Sequence, residues 1–193
     1  MEIEIKRLSP ELADDYVHFF DITPHDEYVD AHKCYCVCWC ADDYEGKDFS
    51  TAEKRRAAAH HYVQNGIIQG YLAYHNGTPV GWCNANTKSD CLKCCSWRMF
   101  MKDVHVDTRE KIKSVFCFVV APQYQRKGIA SLLLERVLAD AEKDGFDAVE
   151  AYPNQSFSSV AADFMGPAAM YERCGFLTVA QTGQKYVMRK ALR

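Results

Sequence analysis

Ile112-Lys113-Ser114-Val115-Phe116-Cys117-Phe118-Val119-Val120 is a nearly continuous apolar run of strand length, and its sequel decides the fold. A strand that hides both faces reads this way, whereas a half-wet strand alternates. Pro122–Lys127 makes a turn, and a helix is expected from Ile129 to about Asp144. Ile129, Leu132, Leu133, Val137, Leu138 and Ala141 form its apolar stripe, and Gly145 stops it. Asp147–Tyr152 supplies a second short strand. Strand, helix and strand in this order form a βαβ unit, which implies parallel pairing and a right-handed crossover.

Antiparallel elements are expected on either side. Ile3 and Ile5 alternate with Glu2, Glu4 and Lys6 as in a half-buried strand. Ser9-Pro10-Glu11 opens a helix through about Phe20, and Thr51 to about Gln64 forms another, ended by Asn65-Gly66. Ile68–Tyr74 and Pro79–Asn84 flank Asn76-Gly77, a strong hairpin signal because both residues tolerate positive φ. Residues 21–50 read as irregular, and 86–111 as a polar loop or short helix. Gly166-Pro167 starts a short helix ending at Cys174-Gly175, and Phe176–Ala180 and Lys185–Arg189 close the chain. The fold class is α+β, a mixed α/β arrangement with a mostly antiparallel sheet.

The length, 193 residues, suits one domain over 1–193, with 48% apolar and 25% charged residues. Net charge is −3, which gives no broad footprint for nucleic acid or an anionic membrane. Residues 1–7 lack the apolar core of a signal peptide, and no stretch is long and apolar enough to span a bilayer. A cytoplasmic protein with ten reduced cysteines is the expectation.

Gln125-Arg126-Lys127-Gly128-Ile129-Ala130, with Ser131 after it, lies where the buried strand meets the amphipathic helix. The first helical amides lack intrahelical partners, and the helix dipole favours negative charge there. Gly128 and Ala130 let a ligand approach the backbone, while Arg126 and Lys127 add positive charge. Together they suit a pyrophosphate; the plain alternative is an ordinary strand-to-helix turn. The segment matches neither the P-loop nor the Rossmann pattern.

Three motifs in order carry a resemblance to a family. Val120-Ala-Pro-Gln-Tyr-Gln-Arg-Lys-Gly-Ile-Ala130 resembles the coenzyme A signature of the GNAT superfamily of acyl-CoA-dependent N-acyltransferases. Asn76–Trp82 is similar to that family's central hairpin, and Met170-Tyr-Glu-Arg-Cys-Gly-Phe176 to its later tyrosine motif. The resemblance covers about residues 67–190. It implies two central parallel strands that splay apart to admit the pantetheine arm. Phe118, Val119 and Val120 would then offer backbone groups to pantetheine, Gln125–Ser131 would hold the pyrophosphate, and acetyl-CoA would be the acyl donor. Tyr171 would be the general acid, since a phenol of pKa about 10 keeps its proton at neutral pH until a thiolate leaves. The alternative for Tyr171 is packing of a short helix.

The attacking amine must be neutral, and Glu150, on the second parallel strand, could take its proton; otherwise it is an outward strand carboxylate. Asp163 and the histidines are further candidates. The family often has Asn seven residues before the tyrosine, where this chain has Phe164; on the resemblance Asn154, just past the strand, would be a candidate contact to the cofactor. The acceptor stays open between a small amine, an aminoglycoside-like drug, an amino acid and a protein amine, and a homodimer is compatible.

Cys34-x-Cys36-x-Cys38-x-Cys40 is the least ordinary feature. As an extended segment it would put four thiols on one face, a poor start for tetrahedral zinc even with Cys91, Cys94 and His32. No metal is expected. The thiols, interleaved with Tyr35, Val37 and Trp39, would either pack as small hydrophobes or, with Cys38 and Trp39 foremost, wall the acceptor pocket. A rival reading is a non-catalytic coenzyme A-binding or thiol/metal sensor on the same fold.

Overall fold

The computed structural model describes residues 1–24, 32–40 and 46–193. The irregular reading of 25–31 and 41–45 lies outside the described residues. Seven strands form one sheet: β1 (Glu4–Arg7), β2 (Gly70–His75), β3 (Thr78–Thr87), β4 (Ile112–Val120), β5 (Ala148–Ala151), β6 (Leu177–Thr182) and β7 (Lys185–Ala191), in the order β1-β2-β3-β4-β5-β7-β6. β4 and β5 are parallel and every other neighbouring pair is antiparallel.

The elements follow from local chemistry. Asn76 (φ 50°) and Gly77 (φ 77°) both take the left-handed conformation at the β2–β3 turn, as a two-residue hairpin of this twist requires. Thr51 caps α2 (Ala52–Gln64) by accepting the Lys54 N–H. The first helix begins later than expected: Pro10–Leu12 form a 3-10 turn, α1 spans Ala13–Ile22, and the Ser9 side chain makes no capping bond. The stretch over 86–111 holds the end of β3, a 3-10 turn and α3 (Cys95–Phe100).

α4 (Ile129–Lys143) links β4 to β5 and α5 (Ala168–Arg173) precedes the closing hairpin. One face of the sheet packs on α4 and α5 through Ile129, Leu133, Leu134, Val137 and Tyr171. The stripe differs from expectation at one step: Leu134 is buried and Leu132 is 39% exposed. The other face packs on α1 and α2 around Trp82, whose indole N–H donates to Cys36 Sγ at 3.3 Å. A third cluster surrounds Trp39, Trp97, Phe116 and Tyr152. No helix of the described residues is long and apolar enough to cross a membrane.

Candidate active site

β5 pairs with β4 only from Ile112↔Ala148 to Val115↔Ala151, and then the chain turns away. Phe116–Val120 therefore keep β3 on one side and have no β5 partner on the other. On that open edge the Phe118 N–H donates to the Phe164 carbonyl (2.7 Å), and the Val120 carbonyl accepts from Gln125 Nε2 (3.2 Å). Strand alternation aims the Phe118 carbonyl and the Val120 N–H at the same edge.

The edge runs into a left-handed turn. Arg126 has φ 58° and Gly128 has φ 83°; the former is an unusual conformation for a side-chain-bearing residue and costs about 1–2 kcal/mol. Gly128 caps α4, and the Leu132 N–H is the first to close on its carbonyl (3.0 Å), so the preceding amides face out of the helix end. A Cβ built on Gly128 meets nothing within 4 Å, so the space before these amides is open. Open amides, a helix dipole and two flanking cations fit a phosphate group.

A cleft of about 670 Å³ lies along the same edge. Phe118–Val120 and Gln125 form one wall, and Cys34, Cys38, Trp39, Phe100 and Phe164 are among the residues facing them. The Cys34–Cys40 segment is not extended, which corrects the one-faced thiol row. Tyr35 (φ 48°) and Cys36 (φ 54°) are left-handed and Val37–Trp39 form a 3-10 turn, so the two-residue alternation is lost. Cys36 and Cys40 are buried while Cys34 and Cys38 are half-buried. Trp39 stacks on Phe116 (centroids 4.9 Å apart, 15°) and lies beside Phe100 and Phe164. Cys91 donates to the Trp39 carbonyl (3.2 Å), and Cys94 Sγ caps α3 by accepting the Trp97 N–H (3.3 Å). Among the described residues, no group of three His, Cys, Asp or Glu is arranged to hold a metal ion.

The model of the acetyltransferase (GNAT) family matches residues 28–176. The chain belongs to the GNAT acetyltransferase family. Among solved structures, it is similar to a GNAT acetyltransferase of Streptococcus pneumoniae (19% identity, TM-score 0.54, 98% of this chain and 99% of that one). It is also similar to the PaiA N-acetyltransferase of Thermoplasma acidophilum in complex with coenzyme A (17%, 0.52, 99% of each chain). A third is an acetyltransferase of Salmonella typhimurium with acetyl-CoA (15%, 0.53, 99% and 94%). At these identities the likeness concerns the fold. A search of curated proteins gives no match.

Within this GNAT fold the expected residues fall in two groups. Phe118, Val119, Val120, Gln125, Cys38 and Trp39 share the cleft. Arg126, Lys127, Gly128, Ile129, Ala130 and Ser131 at the start of α4, together with Asn154, Tyr171 and Glu150, do not line it. Tyr171 is fully buried on α5; its hydroxyl donates to the Met165 carbonyl at 2.5 Å, and burial pushes its pKa well above the usual value. Glu150 is buried on β5, where it accepts from Lys88 Nζ (2.7 Å) and the Tyr152 hydroxyl (3.0 Å), with Arg189 at 3.6 Å. It is therefore neither an outward carboxylate nor an uncommitted one.

Asn154 and Asp163 organise the 153–166 segment. Asn154 donates to Asp163 (2.7 Å) and accepts from Lys185 Nζ (2.8 Å). Asp163 also accepts the Ser158 and Ser159 N–H groups (2.6 and 3.0 Å); burial opposes its ionisation, yet these bonds hold its pKa below the usual value. Cys95, Met99, Phe100 and Cys117 also line the cleft and were not among the expected site residues, and Phe164, noted from sequence only as a departure from the family's Asn, lines it too. The one available signal was the apolar Met99-Phe100 pair inside an otherwise polar stretch.

Proposed function

We propose that this chain is an N-acetyltransferase that moves an acetyl group from acetyl-CoA to an amine by direct attack in a ternary complex. The observation that carries this reading is the continuity of β4's unpaired edge with the Gly128-capped start of α4, beside a single cleft. Bound there, acetyl-CoA supplies the thioester carbonyl. The opening amides of α4, with Arg126 and Lys127, hold the pyrophosphate. The Phe118 carbonyl and Val120 N–H hold the pantetheine arm as an added strand would. Tyr171 gives its proton to the leaving thiolate after the Met165 carbonyl has moved off its hydroxyl.

The acceptor enters between Trp39, Phe100 and Phe164. Among the described residues lining the cleft none is charged and none is an imidazole, so nothing there complements a polycation or removes a proton. An amine on an aromatic or apolar body suits this wall. An arylamine suits it best, because its nitrogen is already neutral at pH 7, and the proton it sheds after attack restores the phenol from the tyrosinate that Tyr171 leaves.

A non-catalytic coenzyme A-binding reading draws on one observation, the full burial of Tyr171. A thiol-sensor reading is weakened by the thiols themselves. Burial pushes Cys38 up to about 11, and the Cys117 thiol, then burial, raise Cys36 well above its usual value. Thiols held protonated are slow nucleophiles.

Gly128→Val tests the site. It forces a β-branched residue into a left-handed turn at the cradle, and should abolish calorimetric binding of acetyl-CoA with circular dichroism unchanged. Wild-type affinity in that variant would place the phosphates elsewhere. An acceptor panel read by released thiol, with the protein thiols blocked or subtracted, tests the chemistry: arylamines should turn over faster than polyamines.

A further inference from the structure

A second cavity, of about 570 Å³, lies at the other end of β4, where the strand begins. Arg7, Lys111 and Lys113 bring three cations to its wall and Asp144 one carboxylate. That carboxylate already accepts from Arg7 at 2.7 Å. Lys111 Nζ donates to the Asp144 backbone carbonyl (2.9 Å), which carries no formal charge.

Lys113 is the unusual member. It is 8% exposed, and its ammonium donates to the neutral side-chain amide oxygen of Gln69 at 3.2 Å. Among the described residues no carboxylate lies within ion-pair distance of it. Lys111 and Lys113 place their ammoniums 4.3 and 4.5 Å from the centroid of the same ring, Phe146. Burying a charge without a counterion is costly, and two cations at one ring repel each other. A methionine would fill the Lys113 space without either cost. Tyr71, Ile68, Val63 and Pro10 supply apolar wall beside the cations.

We propose that this cavity binds a small anion, its carboxylate or phosphate group held by Lys111 and Lys113 and any organic body lying against Tyr71 and Phe146. The site shares no residue with the acetyl-transfer cleft and stands independently of it.

Charge at the cavity is tunable by pH. Burial, then Arg7, hold Lys113 down to about 8, against Asp144, Asp90 and Cys91, which favour its charged form. Lys111, at the same Phe146 ring, and the neutral amide of Gln69 also face it, and the Tyr71 phenol lines the same cavity. A bound anion favours the ammonium and must push that value up.

The test is calorimetric titration of the full chain with two probes, inorganic phosphate and benzoate. At least one is expected to bind one-to-one; binding by phosphate alone assigns a compact oxyanion, and by benzoate alone a carboxylate with an apolar body. The double variant Lys111→Met with Lys113→Met should lose at least about tenfold in affinity, while Lys102→Met, exposed and outside both cavities, should lose none. Benzoate keeps its charge from pH 7 to 9, so its affinity should fall about tenfold over that range as Lys113 deprotonates. If the double variant fails to fold, the wild-type chain carries the test: the NMR signal of isotopically dimethylated Lys113 should titrate at higher pH with probe present. Binding by neither probe, unchanged affinity in a folded double variant, or an unmoved Lys113 titration overturns the proposal.

Discussion

The Tyr171 hydroxyl donates to the carbonyl of Met165 at 2.5 Å, one residue beyond the Phe164 carbonyl that takes the Phe118 N–H at 2.7 Å. One short segment thus engages both the pantetheine-facing edge of β4 and the proposed acid. Displacing Phe164 and Met165 together would release both groups. Coenzyme A should therefore shift the amide resonances of Phe118 and of residues 164–166 in one saturable process. Unmoved resonances at these positions would separate the cofactor from this edge.

Tyr171→Phe should lower kcat by about 10²–10⁴-fold, the usual contribution of a general acid, with acetyl-CoA affinity retained. The fold should survive, since the lost hydrogen bond is worth about 1 kcal/mol. Near-wild-type turnover would leave Tyr171 with only its packing against Phe118 and Phe176.

Glu150 is expected to act through stability. Its side chain and that of Lys88 are each 6% exposed, and removing one partner of a buried pair strands the other charge. Glu150→Ala should cost about 3 kcal/mol in denaturant unfolding. The pH profile of kcat/KM in the folded fraction should keep its shape. A lost acidic limb would instead make Glu150 the base.

Lys113 gives stability a pH signature. Its value falls from 10.5 to about 8 on folding, so between those limits the unfolded chain binds more protons and stability rises with pH. Below pH 8 the penalty is fully present, about 3 kcal/mol at most for a shift of this size. Lys113→Met should stabilise the protein at pH 7 and flatten the rise between pH 8 and 10. A variant that tracks wild type across that range would contradict this assignment.

Much of this was legible in the residues. Ile112–Val120 shows its burial in composition alone, and Asn76-Gly77 names its own turn chemistry, so the sheet and its parallel pair follow directly. Gly145 (φ 73°) marked the end of α4 for the same reason. The one-faced thiol row expected over Cys34–Cys40 failed because alternation in sequence implies alternation in space only if the backbone is extended, and two left-handed residues there break it. The commitments of Tyr171 and Glu150 were invisible because they depend on Met165, Lys88 and Tyr152, partners set by the tertiary fold.

Trp39 should set the acceptor preference. Trp39→Ala removes a ring stacked on Phe116 at the cleft wall, and should raise the acceptor KM at least about tenfold while changing the acetyl-CoA KM little. Equal rises in both would mean that the cleft collapses as a whole.

The most direct measurement is mass spectrometry of a reaction holding the purified protein, acetyl-CoA and an arylamine, with free coenzyme A quantified alongside. The expected result is an amine bearing one acetyl group and an equal amount of free coenzyme A, both suppressed in Tyr171→Phe. Tight binding of acetyl-CoA with no acetylated product from any amine in the panel would contradict the account and leave a coenzyme A-binding protein that does not transfer.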